Sequence, residues 1–212
     1  MAGRLATVRL IGLTGKIGAG KSSVGAMLAG HGAVVIDADR LAAASLERNG
    51  AAFGPTRRRF GPSILDARGA IDRSALARIV FADPSARRDL EAIVHPIVRA
   101  GITARLSAEA SGDRVVVLDI PLLAETRADL TYPFSGVLVV DASAEVVLDR
   151  LERERGMGRA EAEARLAAQA SEQERNALAD FIILNIGSRA ELEEMVARAW
   201  QWILSLPSGE TG

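Results

Sequence analysis

Residues 15–22 read GKIGAGKS, and the pattern G-x-x-x-x-G-K-[ST] confines the chain to folds that set a glycine turn between a strand and a helix. The flanking residues meet that demand. Val8, Leu10, Ile11 and Leu13 form a short apolar run before the turn, and SVGAML at 23–28 continues as a helix after it. At such a helix start the backbone amides converge on an anion. Lys21 is placed to reach the β- and γ-phosphates of a nucleotide, and the Ser22 hydroxyl to ligate Mg²⁺. The residues expected around the phosphates are Gly15, Gly18, Ala19, Gly20, Lys21, Ser22 and Ser23. The first expectation is therefore binding of a nucleoside triphosphate.

Charge narrows the partners. With 26 Lys plus Arg against 27 Asp plus Glu, the net charge of −1 gives no electrostatic case for a nucleic-acid or membrane-surface partner. The absence of cysteine excludes disulfides and thiolate metal sites and agrees with a reducing compartment. No stretch approaches the roughly 20 apolar residues of a spanning helix, and the N-terminal apolar run is too short for a secretory signal. A cytoplasmic protein acting on a small molecule is expected. Its 212 residues, 49% of them hydrophobic, suffice for one generous domain carrying an inserted lobe.

Nearly continuous apolar runs recur at 8–13, 33–36, 115–120, 137–140 and 181–184, with helical segments between them. Strands covered on both faces read this way. The alternation predicts an α/β fold with a parallel sheet between helical layers and ligands at the carboxyl ends of the strands. The gap from 41 to 113 holds no convincing strand but has helical stretches at 74–81 and 85–110, with turn signals at Gly54-Pro55, Gly61-Pro62, Gly69 and Asp83-Pro84. The expected organisation is a core over 7–40, 113–145 and 177–206, a helical insertion over 41–112, a helical lid over 146–176, and a frayed tail at 207–212.

Polar residues at the other strand ends are the candidates for chemistry. The second run ends in Asp37-Ala38-Asp39-Arg40. Either carboxylate suits helix capping; Asp39 is the better candidate for accepting a proton from an attacking hydroxyl. Asp119 closes the third run and reads either as a Mg²⁺-side carboxylate or as a strand-end group bonding a loop amide. Ile120 follows it, where ATPases that activate water commonly carry Glu. Arg150, Arg153, Arg155 and Arg159 crowd around Gly156-Met157-Gly158, a density that suits a lid closing cations over phosphates. Glu152, Glu154, Glu161 and Glu163 are interleaved, so i,i+4 ion pairs compete for the same arginines. His95, before Pro96, suits packing as well as contact with an acceptor. Trp200 and Trp202 read as core, and Arg57-Arg58-Arg59 and Arg87-Arg88 as solvated surface.

Taken in order, LTGKIGAGKSSV at 13–24, VVIDAD at 34–39, HP at 95–96, DIPLLAE at 119–125, RLAAQA at 165–170 and ALADFIILNIGS at 177–188 resemble the dephospho-coenzyme A kinase family. The resemblance implies a three-layer α/β sheet of phosphate-loop kinase type with an acceptor-binding helical insertion and a lid. It implies ATP and Mg²⁺ as cofactors, and transfer of a phosphoryl group to the ribose 3′-hydroxyl of dephospho-coenzyme A as the closing step of coenzyme A synthesis. Under it Lys21, Asp39 and Arg150 are the catalytic candidates, and Ser22 and Asp119 the metal ligands. Asn185 lies beside the adenine, and His95, Pro121, Leu122 and Leu123 on the acceptor side. Three positions depart from the family's pattern. Lys16 stands where a second glycine is usual and either helps bind phosphate or points to water. Glu154 stands where a lid arginine is expected, with Arg153 and Arg155 on either side. Leu184 precedes Asn185 where the family tends to carry Asp. A nucleoside monophosphate or sugar kinase of the same architecture is the near alternative. A GTP-controlled switch is the distant one, and the chain lacks an [NT]-K-x-D guanine-reading motif.

Overall fold

The computed structural model describes residues 7–109, 114–121, 123, 132–207 and 209–210. It is organised around β1 (Thr7–Gly15), whose Val8, Leu10, Ile11 and Leu13 are all buried, as a strand sandwiched by helices requires. The phosphate loop follows, then α1 (Lys21–Gly30) and β2 (Val34–Asp37). With β3 (Arg114–Asp119), β4 (Gly136–Asp141) and β5 (Phe181–Leu184) they complete a five-strand parallel sheet in the order β2-β3-β1-β4-β5. The loop therefore emerges between the ends of β3 and β4. Register fixes what stands there: Leu13 pairs with Asp119 on one side of β1, and Gly15 with Val140 on the other. Asp141 follows directly, paired with Leu184 of β5.

β1 and β4 run longer than their apolar cores, and the closing Asp119 and Asp141 still take part in the ladder. The tail departs from expectation. β6 (Gly209–Glu210) pairs antiparallel with β1, Val8 against Gly209 and Thr7 against Glu210. β4 meets β1 only from Ile11 onward, so that edge of β1 offers unpaired backbone groups below it.

α6 (Ala144–Arg155), α7 (Arg159–Ala167) and α8 (Glu172–Asn176) follow β4, and α9 (Arg189–Ser205) follows β5. α9 lays Leu192, Val196, Ala199 and Ile203 on the core at helical spacing. Trp200 stacks on His31 with 5.6 Å between ring centroids, and Trp202 packs against Phe181 at 5.4 Å. Both tryptophans thus border the core, as their apolar surroundings suggest.

Residues Asp37–Ser107 form a second compact unit, separate from Met1–Ile36 with Ala108–Gly212. It begins four residues before the expected insertion and ends five before it. α2 (Ala38–Ser45), α3 (Phe53–Phe60), α4 (Arg73–Ala82) and α5 (Pro84–Glu109) supply its helices. Gly54-Pro55 does not break the chain as its composition suggests. Pro55 falls in the first turn of α3, where its missing N–H costs no helical bond. Gly61 and Gly69 do make turns, with φ of 77° and 73°. Arg59 pairs with Asp89 at 2.5 Å and Arg87 with Glu91 at 2.8 Å, so part of the basic surface is neutralised locally.

Two helices begin with reciprocal capping boxes, Ser171 with Glu174 and Ser188 with Glu191. Bonds from the backbone amide and hydroxyl of Ser188 hold the Glu191 carboxyl below its usual range, and the Ser171 hydroxyl and amide do the same for Glu174. A lowered carboxyl pKa contributes stability that is present above the ordinary value and lost as pH falls through the lowered one. Ser188→Ala is expected to lower Tm at pH 7 by about 2–4 °C. Scanning calorimetry should show the difference from the parent chain shrinking as the pH falls below about 4.

Candidate nucleotide site

α1 starts in an unusual way for a helix. Its N-cap is Gly20, there is no side-chain cap and no acid in the first turn, and its first residue is a cation, Lys21. Left alone, this end opposes the helix dipole and leaves donors unsatisfied. Ser23 and Val24 donate back to the Gly20 carbonyl at 3.0 and 3.1 Å, and Ala19 donates to Lys16 at 3.1 Å. The amides of Gly18, Gly20, Lys21 and Ser22 have no acceptor among the described residues. Such a cluster of donors is a receptor for an anion.

Glycine is required here sterically. Gly18 and Gly20 adopt φ of 73° and 94°. A Cβ on Gly20 would run into the Asn185 amide, and one on Gly18 would come within 3.0 Å of Val147 and 3.2 Å of Leu151 on α6. The loop thus lies directly on α6. Ile17 packs into the small core of Val147, Leu151 and Ala162.

Polar groups from four strand ends surround it. The Lys21 ammonium pairs with Asp119 Oδ1 at the end of β3. The Thr14 hydroxyl donates to the Pro121 carbonyl at 3.1 Å, and the Ile120 amide to Leu13 at 2.9 Å, fixing the loop that carries Asp119 past its strand. On the other side, Asn185 beyond β5 is buried and donates through Nδ2 to the Ala19 carbonyl at 2.8 Å. Its Oδ1 accepts from Arg150 Nη2 at 3.2 Å, and Arg150 Nη1 lies unpaired beside Gly20.

Lys16 does not point to water. Its side chain turns inward to Asp141 at 3.0 Å, both groups being more than nine-tenths buried. Arg175 of α8 stands 3.9 Å from the same carboxylate oxygen and donates to the Ala170 carbonyl. Gln169 accepts from the Ile17 amide at 3.0 Å.

Several expected contacts fall elsewhere. Leu123 is buried, its side chain facing Gly12, so it packs the sheet instead of facing a ligand. Leu122 lies outside the described residues, as does Glu125. In the lid, Arg159 pairs with Glu163 at 3.3 Å and Arg165 with Glu161 at 2.9 Å, so local i,i+4 pairing takes these two arginines. Arg153 and Arg155 are exposed in the last turn of α6, at its negative end. Asp37 caps α2 by accepting from the Arg40 amide at 2.9 Å. Asp39, in the first turn of α2, and His95, within α5, belong to the second unit.

Asp141, Gln169 and Arg175 escaped the sequence reading. Asp141 carried a legible signal, since it closes an apolar run just as Asp119 does. A charged residue inside a glycine loop also implies a partner.

The dephospho-CoA kinase profile matches residues 9–191. This chain belongs to the dephospho-CoA kinase family. It is 46% identical to the dephospho-CoA kinase of Frankia casuarinae over 195 residues, covering 92% of this chain and 83% of that one. The crystal structure of TT1252 from Thermus thermophilus superposes with a TM-score of 0.82 at 37% identity, over 94% of this chain and 99% of that one. Dephospho-CoA kinase from Campylobacter jejuni gives 0.63 at 27% identity, over 92% and 97%. The chain is accordingly a kinase. No helix among the described residues is long and apolar enough to cross a membrane.

Gly20→Ala sets a side chain against Asn185 in a conformation costly to any residue but glycine. It is expected to weaken nucleotide binding at least tenfold, roughly. Calorimetric titration with ATP should show this, with circular dichroism unchanged.

Proposed function

We propose that the chain transfers the γ-phosphoryl group of ATP to the ribose 3′-hydroxyl of dephospho-coenzyme A, yielding coenzyme A and ADP in the cytoplasm. The observation that carries this reading is the uncapped start of α1, with four amides lacking acceptors among the described residues and Lys21 paired with Asp119, in a chain of this family. The amides and Lys21 grip the β- and γ-phosphates, and Arg150 adds a cation beside Gly20. Such transfer needs little covalent chemistry from the protein; it needs alignment and charge complementary to the transition state.

The Ser22 hydroxyl and the Asp119 carboxylate are hard oxygen donors of the kind Mg²⁺ takes, and Ser22 is exposed. Bound there, Mg²⁺ would neutralise phosphate charge. Asn185 spends its side chain on the loop, so the exposed Leu184 and Ile186 on either side of it offer the apolar surface for adenine. Asp39 is the base, the role its place just past the end of β2 and the family resemblance imply: the ribose oxygen bonds to the γ-phosphorus, the bond to ADP breaks, and the hydroxyl proton passes to Asp39. His95 serves the acceptor.

A coupled ADP-release assay over a panel of alcohols and nucleotides tests the assignment. Turnover is expected with dephospho-coenzyme A; turnover only with a nucleoside monophosphate or a sugar would overturn it. Lys21→Ala is expected to lower kcat by roughly 10²–10³. Asp39→Asn is expected to retain ATP affinity and lose turnover. A near-normal rate in that variant, with chemistry limiting, would remove Asp39 from the mechanism.

A further inference from the structure

The chain contains only two lysines, Lys16 and Lys21, against a large complement of arginines, and both stand in the phosphate loop. Each is paired with the aspartate that closes a strand neighbouring β1: Lys21 with Asp119 of β3, Lys16 with Asp141 of β4. The two pairs differ in surroundings. Lys21 opens α1, at the anion-receiving end. Lys16 enters the loop one residue after β1 and is directed into the protein. There it meets a carboxylate that Arg175 also approaches and whose own carbonyl accepts from the Asn185 amide at 2.7 Å.

We propose that Lys16 is a positioning residue for the kinase reaction: it binds no phosphate, and fixes the entrance of the loop to the end of β4 through Asp141. This rests on the reading of the loop as the ATP site. The mechanics follow from the contacts. The Lys16 carbonyl accepts from the Ala19 amide, so the residue that holds Asp141 also closes the turn containing Ile17 and Gly18. The Ala19 carbonyl is held in turn by Asn185, whose backbone amide is bonded to residue 141. Lys16, Ala19, Asn185 and Asp141 therefore form a closed circuit of contacts around the glycine turn, and the donors of Gly18 and Gly20 are presented from it.

A compact ammonium suits this place better than a guanidinium. The contact is a close approach without the alignment of a hydrogen bond, made by a point charge and not by a planar fork. Arg175 supplies the second cation. With two cations about one buried carboxylate, removing Lys16 leaves Asp141 still faced by Arg175, whereas neutralising Asp141 leaves two buried cations facing each other. The two substitutions are therefore unequal, and combining them should relieve the worse one.

Selective 15N labelling of lysine gives one side-chain signal for each of Lys16 and Lys21, assigned with Lys16→Met. On titration with ATP the Lys21 signal is expected to move and the Lys16 signal to stay. A Lys16 shift as large as that of Lys21 would overturn the proposal. A Lys21 signal that ATP leaves unmoved would instead sink the underlying nucleotide reading, and the proposal with it.

The second arm is a cycle of Lys16→Met, Asp141→Asn and the double variant, read as Kd for ATP and for ADP. Lys16→Met is expected to weaken both nucleotides alike, by about tenfold, with the double variant binding no worse than Asp141→Asn alone. Losses that multiply across the cycle, or a loss confined to ATP, would refute it. Lys16→Gly, which removes the side chain altogether, keeps the cycle interpretable should Lys16→Met prove unstable. Faster hydrogen exchange at the Ile17 and Ala19 amides, with the β1 amides unchanged, is expected in both Lys16 variants; unchanged exchange at those two amides would count against the proposal.

Discussion

A helix that begins with a glycine cap and a lysine is electrostatically wrong until something negative arrives, and the arrangement of the first unit answers that one defect. The sheet supplies a temporary answer in Asp119, whose carboxylate takes the Lys21 charge. The remaining donors have no such substitute among the described residues. Filling them from the protein would stabilise the resting chain and remove the anion-receiving end, so the bare helix end is the feature on which the proposed nucleotide binding rests.

Holding that end open needs a scaffold on both sides. β3 carries Asp119 to the loop, β4 carries Asp141, and β5 carries Asn185; α6 closes beneath through Val147 and Leu151. These groups arrive at the carboxyl ends of parallel strands, the edge at which ligands collect in such sheets. Arg150 and Arg175 then link the helices after β4 to the same edge, through Asn185 and Asp141 respectively.

Much of this was legible in the residues and some was not, for physical reasons. The five strands announced themselves because burial on both faces demands unbroken apolar runs, and the loop because its glycines have no alternative. The insertion was legible as helical, yet Gly54-Pro55 misled: a breaker in a first turn costs nothing, and composition does not say where a turn begins. Lys16 misled more deeply. Spacing along a loop locates a Cα but not the direction of a long side chain, and Asp141 lies 125 positions away, at the end of a strand brought alongside only by folding. Leu123, expected on the acceptor side, is buried with its side chain against Gly12. Nothing in the sequence pattern foretold β6, since a two-residue strand has no periodicity to detect.

That short strand ties residues far apart in sequence to the amino end of β1. Residues 7 and 210 are paired across the ladder at the amino end of β1, while the glycine loop follows the carboxyl end of the same nine-residue strand. At roughly 3.3 Å per residue, nearly the full depth of the sheet separates them. The β6 pairing therefore caps the amino end of β1 and leaves its carboxyl end, with the glycine turn, to the parallel strands alone.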